Sequence, residues 1–173
     1  MKKIDWKKQA VKSLKIALAA AIAIAVAGEL GLKYSATAGI ITVLSIGNTK
    51  RETLKTAVER GLAFLCALLL AAGCFGVFGY TLPGFTVYLL LFALLCLCVG
   101  WGAAIAMDSV LITHFLGEQS MAPVFLLNEV LLFFIGTGMG ILVNMHLHRK
   151  EADFRRLSDE VDSQIKGILH RMS

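Results

Sequence analysis

The chain has 173 residues, a formal charge of +5, 57% hydrophobic and only 17% charged residues, with a mean hydropathy of +0.74. Soluble domains average roughly 45–50% apolar and about 25% charged residues, so a single water-soluble core is excluded, and the apolar residues fall in long runs that need lipid or partner helices on every side. The basic residues cap the ends of those runs and form no patch interleaved with aromatics, which argues against a nucleic-acid partner.

Lys2, Lys3, Lys7, Lys8, Lys12 and Lys15, with Trp6, precede an apolar run from Ile16 to Leu32 broken only by Glu29. This is a first span with a basic cytoplasmic flank. The same stretch imitates a secretory signal, with small residues at Ala25-Val26-Ala27, and is read here as an uncleaved span. Glu29 and Lys33, four residues apart, are expected to pair at the outer boundary. Ser35 to Ile46 is apolar but too short to span as an ordinary helix, and stops at Gly47-Asn48. A polar, helix-compatible stretch follows with Lys50, Arg51, Glu52, Lys55, Glu59 and Arg60. Gly61 to Phe78 is the third segment, Tyr80-Thr81-Leu82-Pro83-Gly84 a turn, and Phe85 to Val99 the fourth. After Gly100-Trp101-Gly102 comes a short fifth segment, Ala103 to Leu116, carrying Asp108 and His114. The turn Gly117-Glu118-Gln119-Ser120 leads to the sixth, Val124 to Leu147, with Asn128 and Glu129 near its start and Asn144 near its end.

The predicted fold is therefore an all-α integral membrane protein: a six-segment helical bundle over residues 1–147, two segments being short, followed by a cytoplasmic helix over 148–173. In that helix Phe154, Leu157 and Val161 recur as Ile165, Ile168 and Met172, an eleven-residue amphipathic repeat suited to the membrane surface, to a seam between copies or to a further cytoplasmic domain. With both termini cytoplasmic, 16 of the 17 Lys and Arg lie inside and only Lys33 outside, as the positive-inside rule requires.

All four cysteines, Cys66, Cys74, Cys96 and Cys98, sit in apolar runs and read as small hydrophobes. Positions two apart on a helix face nearly opposite ways, so neither Cys96 and Cys98 nor His146 and His148 share a metal. No metal and no cofactor are expected. There is no glycine-rich nucleotide loop, and no nucleophile, base and orienting group at readable spacing, so the chain is not read as an enzyme.

The segments fall into two halves, each a full span, a short segment, a polar break and a second full span. Glu59-Arg60-Gly61-Leu62-Ala63-Phe64-Leu65 and Glu129-Val130-Leu131-Leu132-Phe133-Phe134-Ile135 open corresponding spans with Glu, Leu and Phe at matching offsets. Three crossings per half would invert one half against the other, as in many secondary transporters, whose substrate sites lie at the short segments. The candidate substrate path is accordingly Ser35, Thr37, Thr42 and Ser45 from segment two, with Asp108, Ser109, Thr113 and His114 from segment five. Asp108 is the sharpest of these, because a carboxylate at membrane depth costs roughly 2.5–3.5 kcal/mol on insertion scales and usually faces a cavity or a partner. It is read as a proton-coupling group or a cation contact, against an interfacial or purely structural alternative. His114 reads as interfacial, Glu59 and Glu129 as carboxylates placed for the helix dipole, and Gly136, Gly138 and Gly140 as sites of close helix approach.

The lysine-rich start running into the alanine-rich span (Lys12 to Leu32), the connector Asn48-Thr49-Lys50-Arg51-Glu52-Thr53-Leu54-Lys55, Glu59-Arg60-Gly61, the sixth span with Gly136 and Val143-Asn144, and Val161-Asp162-Ser163-Gln164-Ile165-Lys166 together resemble the bacterial aromatic acid exporter family, related to the fusaric acid resistance proteins, in its short membrane-domain form. The resemblance implies a bundle of this layout in a bacterial plasma membrane and export of aromatic or other hydrophobic organic acids. Proton coupling and a homo-oligomeric state are the expected mechanism and assembly. The competing expectation is a non-transporting membrane scaffold that binds partners through its C-terminal helix.

The topology has a direct test: single cysteines placed at Lys33, Thr81 and Gln119 are expected to react with an impermeant maleimide added outside intact cells, and those at Lys50 and Arg155 to stay unlabelled.

Overall fold

The computed structural model describes residues 6–46 and 50–145; the Gly47-Asn48 stop and the 148–173 helix lie outside the described residues. Among the described residues six α-helices follow one another: α1 (Trp6–Glu29), α2 (Ala36–Leu44), α3 (Lys50–Phe78), α4 (Leu82–Val99), α5 (Ile105–Glu118), entered through a 3-10 turn at Gly102–Ala104, and α6 (Pro123–Met145). Parts of α1 and α3 and all of α4 and α6 are long and apolar enough to cross a membrane. At 1.5 Å per residue α2 extends only about 14 Å and α5 about 21 Å, against a hydrocarbon thickness of about 30 Å. The order long, short, long occurs twice, as the sequence indicated.

The boundaries have local causes. Alanine-rich sequence favours helix through α1, and the chain leaves it through Gly31 at φ 68°. The amide of Leu32 reaches the Ala27 carbonyl (3.0 Å) and that of Gly31 the Gly28 carbonyl (2.9 Å), a Schellman ending that satisfies the last carbonyls. Helix α4 begins at Thr81, whose hydroxyl accepts from the Gly84 amide at 3.3 Å. Pro83 stands in its first turn, where a missing N–H costs nothing, and it closes at left-handed Gly100.

The surface is apolar and the interior holds polar groups, the reverse of a soluble bundle. Leu69, Leu90, Leu97 and Val124 are exposed, while Thr42, Asp108, Glu129 and Asn144 are buried. Such an exterior needs hydrocarbon around it, and the helical backbone satisfies itself there. This is a multi-pass α-helical membrane protein.

Helix α5 lies between two packed groups. Its Ile112 and Phe115 join Tyr88, Phe92 and the small residues Ala63, Ala67 and Ala71, while Met107 and Leu111 join Ile41, Leu132 and Phe133. Phe64 stacks on Phe133 with ring centroids 5.2 Å apart, tying α3 to α6. Helix α2 is held by glycine contacts on two sides. A Cβ on Gly39 would stand 2.7 Å from the Ile24 side chain of α1, one on Gly136 2.5 Å from Cβ of Ile41, and one on Gly140 2.5 Å from Cβ of Ser45.

These contacts set the cost of adding a methyl group. Gly136→Ala and Gly140→Ala are expected to destabilise the detergent-purified protein by about 1–3 kcal/mol, the usual range for overpacking. Gly138→Ala, with nothing within 4 Å of the new atom, should be neutral or slightly stabilising in thermal unfolding.

Candidate functional site

Polar side chains gather at two levels along α5. The first cluster, at the Glu118 end, is built on His114. Its Nδ1 lies 2.7 Å from Glu129 Oε2 and its Nε2 3.3 Å from the Thr37 hydroxyl. With Glu129 ionised, Nδ1 carries the ring proton and Nε2 accepts from Thr37. Asn128 donates to Glu129 Oε1 at 3.0 Å, so both carboxylate oxygens are engaged. Asn128 also exchanges two hydrogen bonds with the backbone of Lys33, accepting from its N–H at 2.8 Å and donating to its carbonyl at 3.2 Å.

The segment between α1 and α2 closes over this cluster. Tyr34 has a left-handed backbone, φ 58°, which a non-glycine residue holds only where its surroundings enforce it. Its ring stacks on His114 at 4.1 Å and 5°, and its hydroxyl donates to Glu118 at 3.2 Å. Lys33 Nζ meets Glu118 at 2.7 Å, so Lys33 pairs with α5 and not, as its spacing suggested, with Glu29. That hydrogen bond holds the Lys33 ammonium above the ordinary lysine range and the Glu118 carboxyl below the usual carboxylate range. The pair's contribution is therefore lost as pH falls through the lowered Glu118 value or rises through the raised Lys33 value, and is whole between.

The second cluster lies at the other end of α5. Arg60, buried in α3, donates from Nη1 to the Leu44 carbonyl at 2.8 Å and more weakly to Ser45 Oγ at 3.4 Å, and from Nε to the Ala103 carbonyl at 3.2 Å. Leu44 ends α2 and Ala103 lies in the turn that opens α5, so one guanidinium ties together the ends of both short helices. Asp108, in the first turn of α5, is fully buried. It is within electrostatic reach of Arg60 and Tyr88, yet neither of its oxygens has a hydrogen-bond partner among the described residues. Thr53 and Asn144 are hydrogen-bonded to each other, joining α3 to α6.

Of the residues expected on the path, Thr37 meets His114, Ser45 meets Arg60, and Asp108 stands at the Arg60 cluster. Thr42 is buried but returns its hydroxyl to the Ala38 carbonyl at 2.8 Å. Thr113 is exposed and does the same with Val110 at 2.6 Å. Ser35 is half-buried at the start of α2 without a capping side-chain bond, and the Ser109 hydroxyl is buried beside that of Tyr88. His114 is buried, covered by the Tyr34 ring at the Glu118 end of α5. The sequence reading missed Arg60 and Glu129 as members of the two clusters, although the rule that drew attention to Asp108, an ionisable group at membrane depth, applies equally to both. An apolar hollow of about 530 Å³ lined by Leu69, Leu91 and Leu94 opens on the lipid-facing side of α3 and α4 and holds none of this chemistry.

The family model described as aromatic acid exporter family member 1 matches residues 7–147. The chain is also 31% identical over 148 residues to a Bacillus subtilis (strain 168) protein named uncharacterized protein YqjA; the match covers 84% of this chain and 46% of that protein, so the chain spans about half the length of the relative. No solved structure matches.

The two carboxylate contacts at the first cluster differ in burial, and so in their weight. Glu129→Ala strands the buried His114 and Asn128 donors and is expected to cost about 1–3 kcal/mol for each donor left unsatisfied. Lys33→Ala breaks an exposed pair and should leave thermal stability nearly unchanged; denaturation of both variants in the same detergent checks the contrast.

Proposed function

The chain belongs to the aromatic acid exporter family, and from that premise we propose that it exports aromatic or other hydrophobic organic acids across a bacterial plasma membrane, as a proton-coupled homo-oligomer with both termini cytoplasmic. The carrying observation is Asp108: a carboxyl group removed from water, with neither oxygen hydrogen-bonded, at the place where the ends of two short helices meet. A charged group there is costly and a proton relieves the cost, which is what a group that takes up and releases a proton during a transport cycle requires.

The path runs along α2 and α5, from Ser45 and Asp108 at one end, past Ser109, to Thr37 and His114 at the other. The stacked Tyr34 and the Lys33–Glu118 pair close the outer end. The two long-short-long halves face opposite ways in the membrane, so that rocking one against the other exposes the path alternately to each side. A scaffold acting through residues 148–173 is the second reading, supported by the amphipathic pattern there and separable by truncation. Deletion after His148 disables a scaffold and spares an exporter.

Asp108→Asn keeps volume and hydrogen-bonding capacity while removing the titration. The variant should insert and assemble normally yet lose pH-gradient-driven efflux of labelled aromatic acids from proteoliposomes, by about a hundredfold or more on the scale of general acid–base contributions. Wild-type efflux from Asp108→Asn across a range of pH would refute the assignment.

A further inference from the structure

Arg60 is permanently charged at any accessible pH and has five N–H donors in a planar fork. It is buried, with a relative exposure of 7%, about 10 Å along α3 from the start of its apolar span at Thr53. Its hydrogen-bond acceptors are two backbone carbonyls and a hydroxyl, all neutral. The nearby carboxyl group, Asp108, makes no hydrogen bond to it. Nη2 has no acceptor among the described residues. A buried guanidinium held by neutral groups keeps its attraction for an anion, and a carboxylate is the acceptor that the fork fits in two-point fashion.

We infer that Arg60 is the recognition group for the carboxylate of the transported acid, and that binding the anion loosens the tie between the ends of α2 and α5. This rests on the exporter reading and adds to it the anchoring residue and the link from binding to movement. A carboxylate on the Nη1–Nη2 edge competes with the Leu44 carbonyl and the Ser45 hydroxyl. The Leu44 carbonyl and the Ser45 hydroxyl offer the guanidinium a neutral oxygen each, whereas a carboxylate adds its own charge and a two-point fit to the fork, so the anion wins the donors. The end of α2 then separates from the Ala103 turn, which Nε alone still holds. Asp108, the carboxylate within electrostatic reach of Arg60 among the described residues, competes with the substrate for the same cation.

The chain has two tryptophans, and Trp101 adjoins the turn that Arg60 holds, accepting through its carbonyl from Ala104 N–H at 2.8 Å. In a full-length Trp6→Phe protein in lipid nanodiscs, Trp101 emission therefore reports on the tie. Benzoate is the probe and benzamide its neutral isostere. Benzoate should shift the emission saturably and benzamide should not. Arg60→Lys should weaken benzoate binding about ten- to hundredfold, the range for losing a two-point charge-assisted contact, and Arg60→Gln should abolish it. Equal responses to benzoate and benzamide in the otherwise wild-type protein overturn the inference whether or not the Arg60 variants fold. So does wild-type benzoate affinity in a folded Arg60→Gln protein. If that affinity is unchanged while Asp108→Asn loses efflux, the exporter reading stands and this one falls. If binding needs Arg60 but the wild-type protein moves no acid, the site stands and the exporter reading falls.

Discussion

A helix that stops within hydrocarbon leaves carbonyls and amides where no water can meet them, and that demand organises the interior of this bundle. Helices α2 and α5 are both too short to cross alone, and Arg60 meets the ends of both, through Leu44 and Ala103. A cation suits the carbonyl end of α2 and a carboxylate suits the amide end of α5. Arg60 and Asp108 therefore each occupy the helix end whose dipole favours their charge. Arg60 itself stands on α3 and reaches both ends, and the glycine contacts of α2 with α1 and α6 fix the height at which α2 meets it.

Much of this was legible in the sequence because it is periodic or local. The long spans followed from apolar length, and the two short segments from the same count coming up short. Expected at Ser35 to Ile46 and Ala103 to Leu116, they form helices Ala36–Leu44 and Ile105–Glu118. The expected break at Gly100 carries the positive φ that glycine favours, and so do Gly79, just before the expected turn, and Gly31, which was read inside the first apolar run. Pairings across the fold were not legible. Lys33 was matched to Glu29 by helical spacing, but α1 ends at Glu29 and the chain reverses at Gly31, so the four-residue rule no longer governs Lys33; Glu118, 85 positions away, takes it. Glu129 was read as a helix-dipole residue because nothing local shows that His114 and Asn128 will converge on it.

The half-to-half sequence comparison drew attention to the right turn of α3 and to the wrong residue in it. It matched Glu59 with Glu129. Glu59 pairs with Lys55 at 3.5 Å near the surface, whereas its neighbour Arg60 points inward. One residue rotates a helical position by about 100°, enough to exchange a lipid- or water-facing side chain for an interior one. Sequence similarity in apolar repeats registers composition well and helical phase poorly, and phase decides which charge enters the bundle.

The two polar clusters are not equivalent in what they explain. In the His114 cluster every carboxylate oxygen, both ring nitrogens and the Lys33 backbone find partners, so its place in the bundle is accounted for by satisfied hydrogen bonding alone. Asp108 has no such account. It is fully buried, without a hydrogen-bond partner among the described residues, and placed where an apolar side chain of similar size would avoid the desolvation cost. Attraction to Arg60 and the amide end of α5 recover part of that cost, yet Arg60 spends its hydrogen bonds on the two short helices instead of on the carboxylate. Where local rules of stability are broken without a full structural return, function is the usual reason. That measure supports the proposal that the chemistry lies between Asp108 and Arg60, with the better-bonded His114 cluster at the far end of α5.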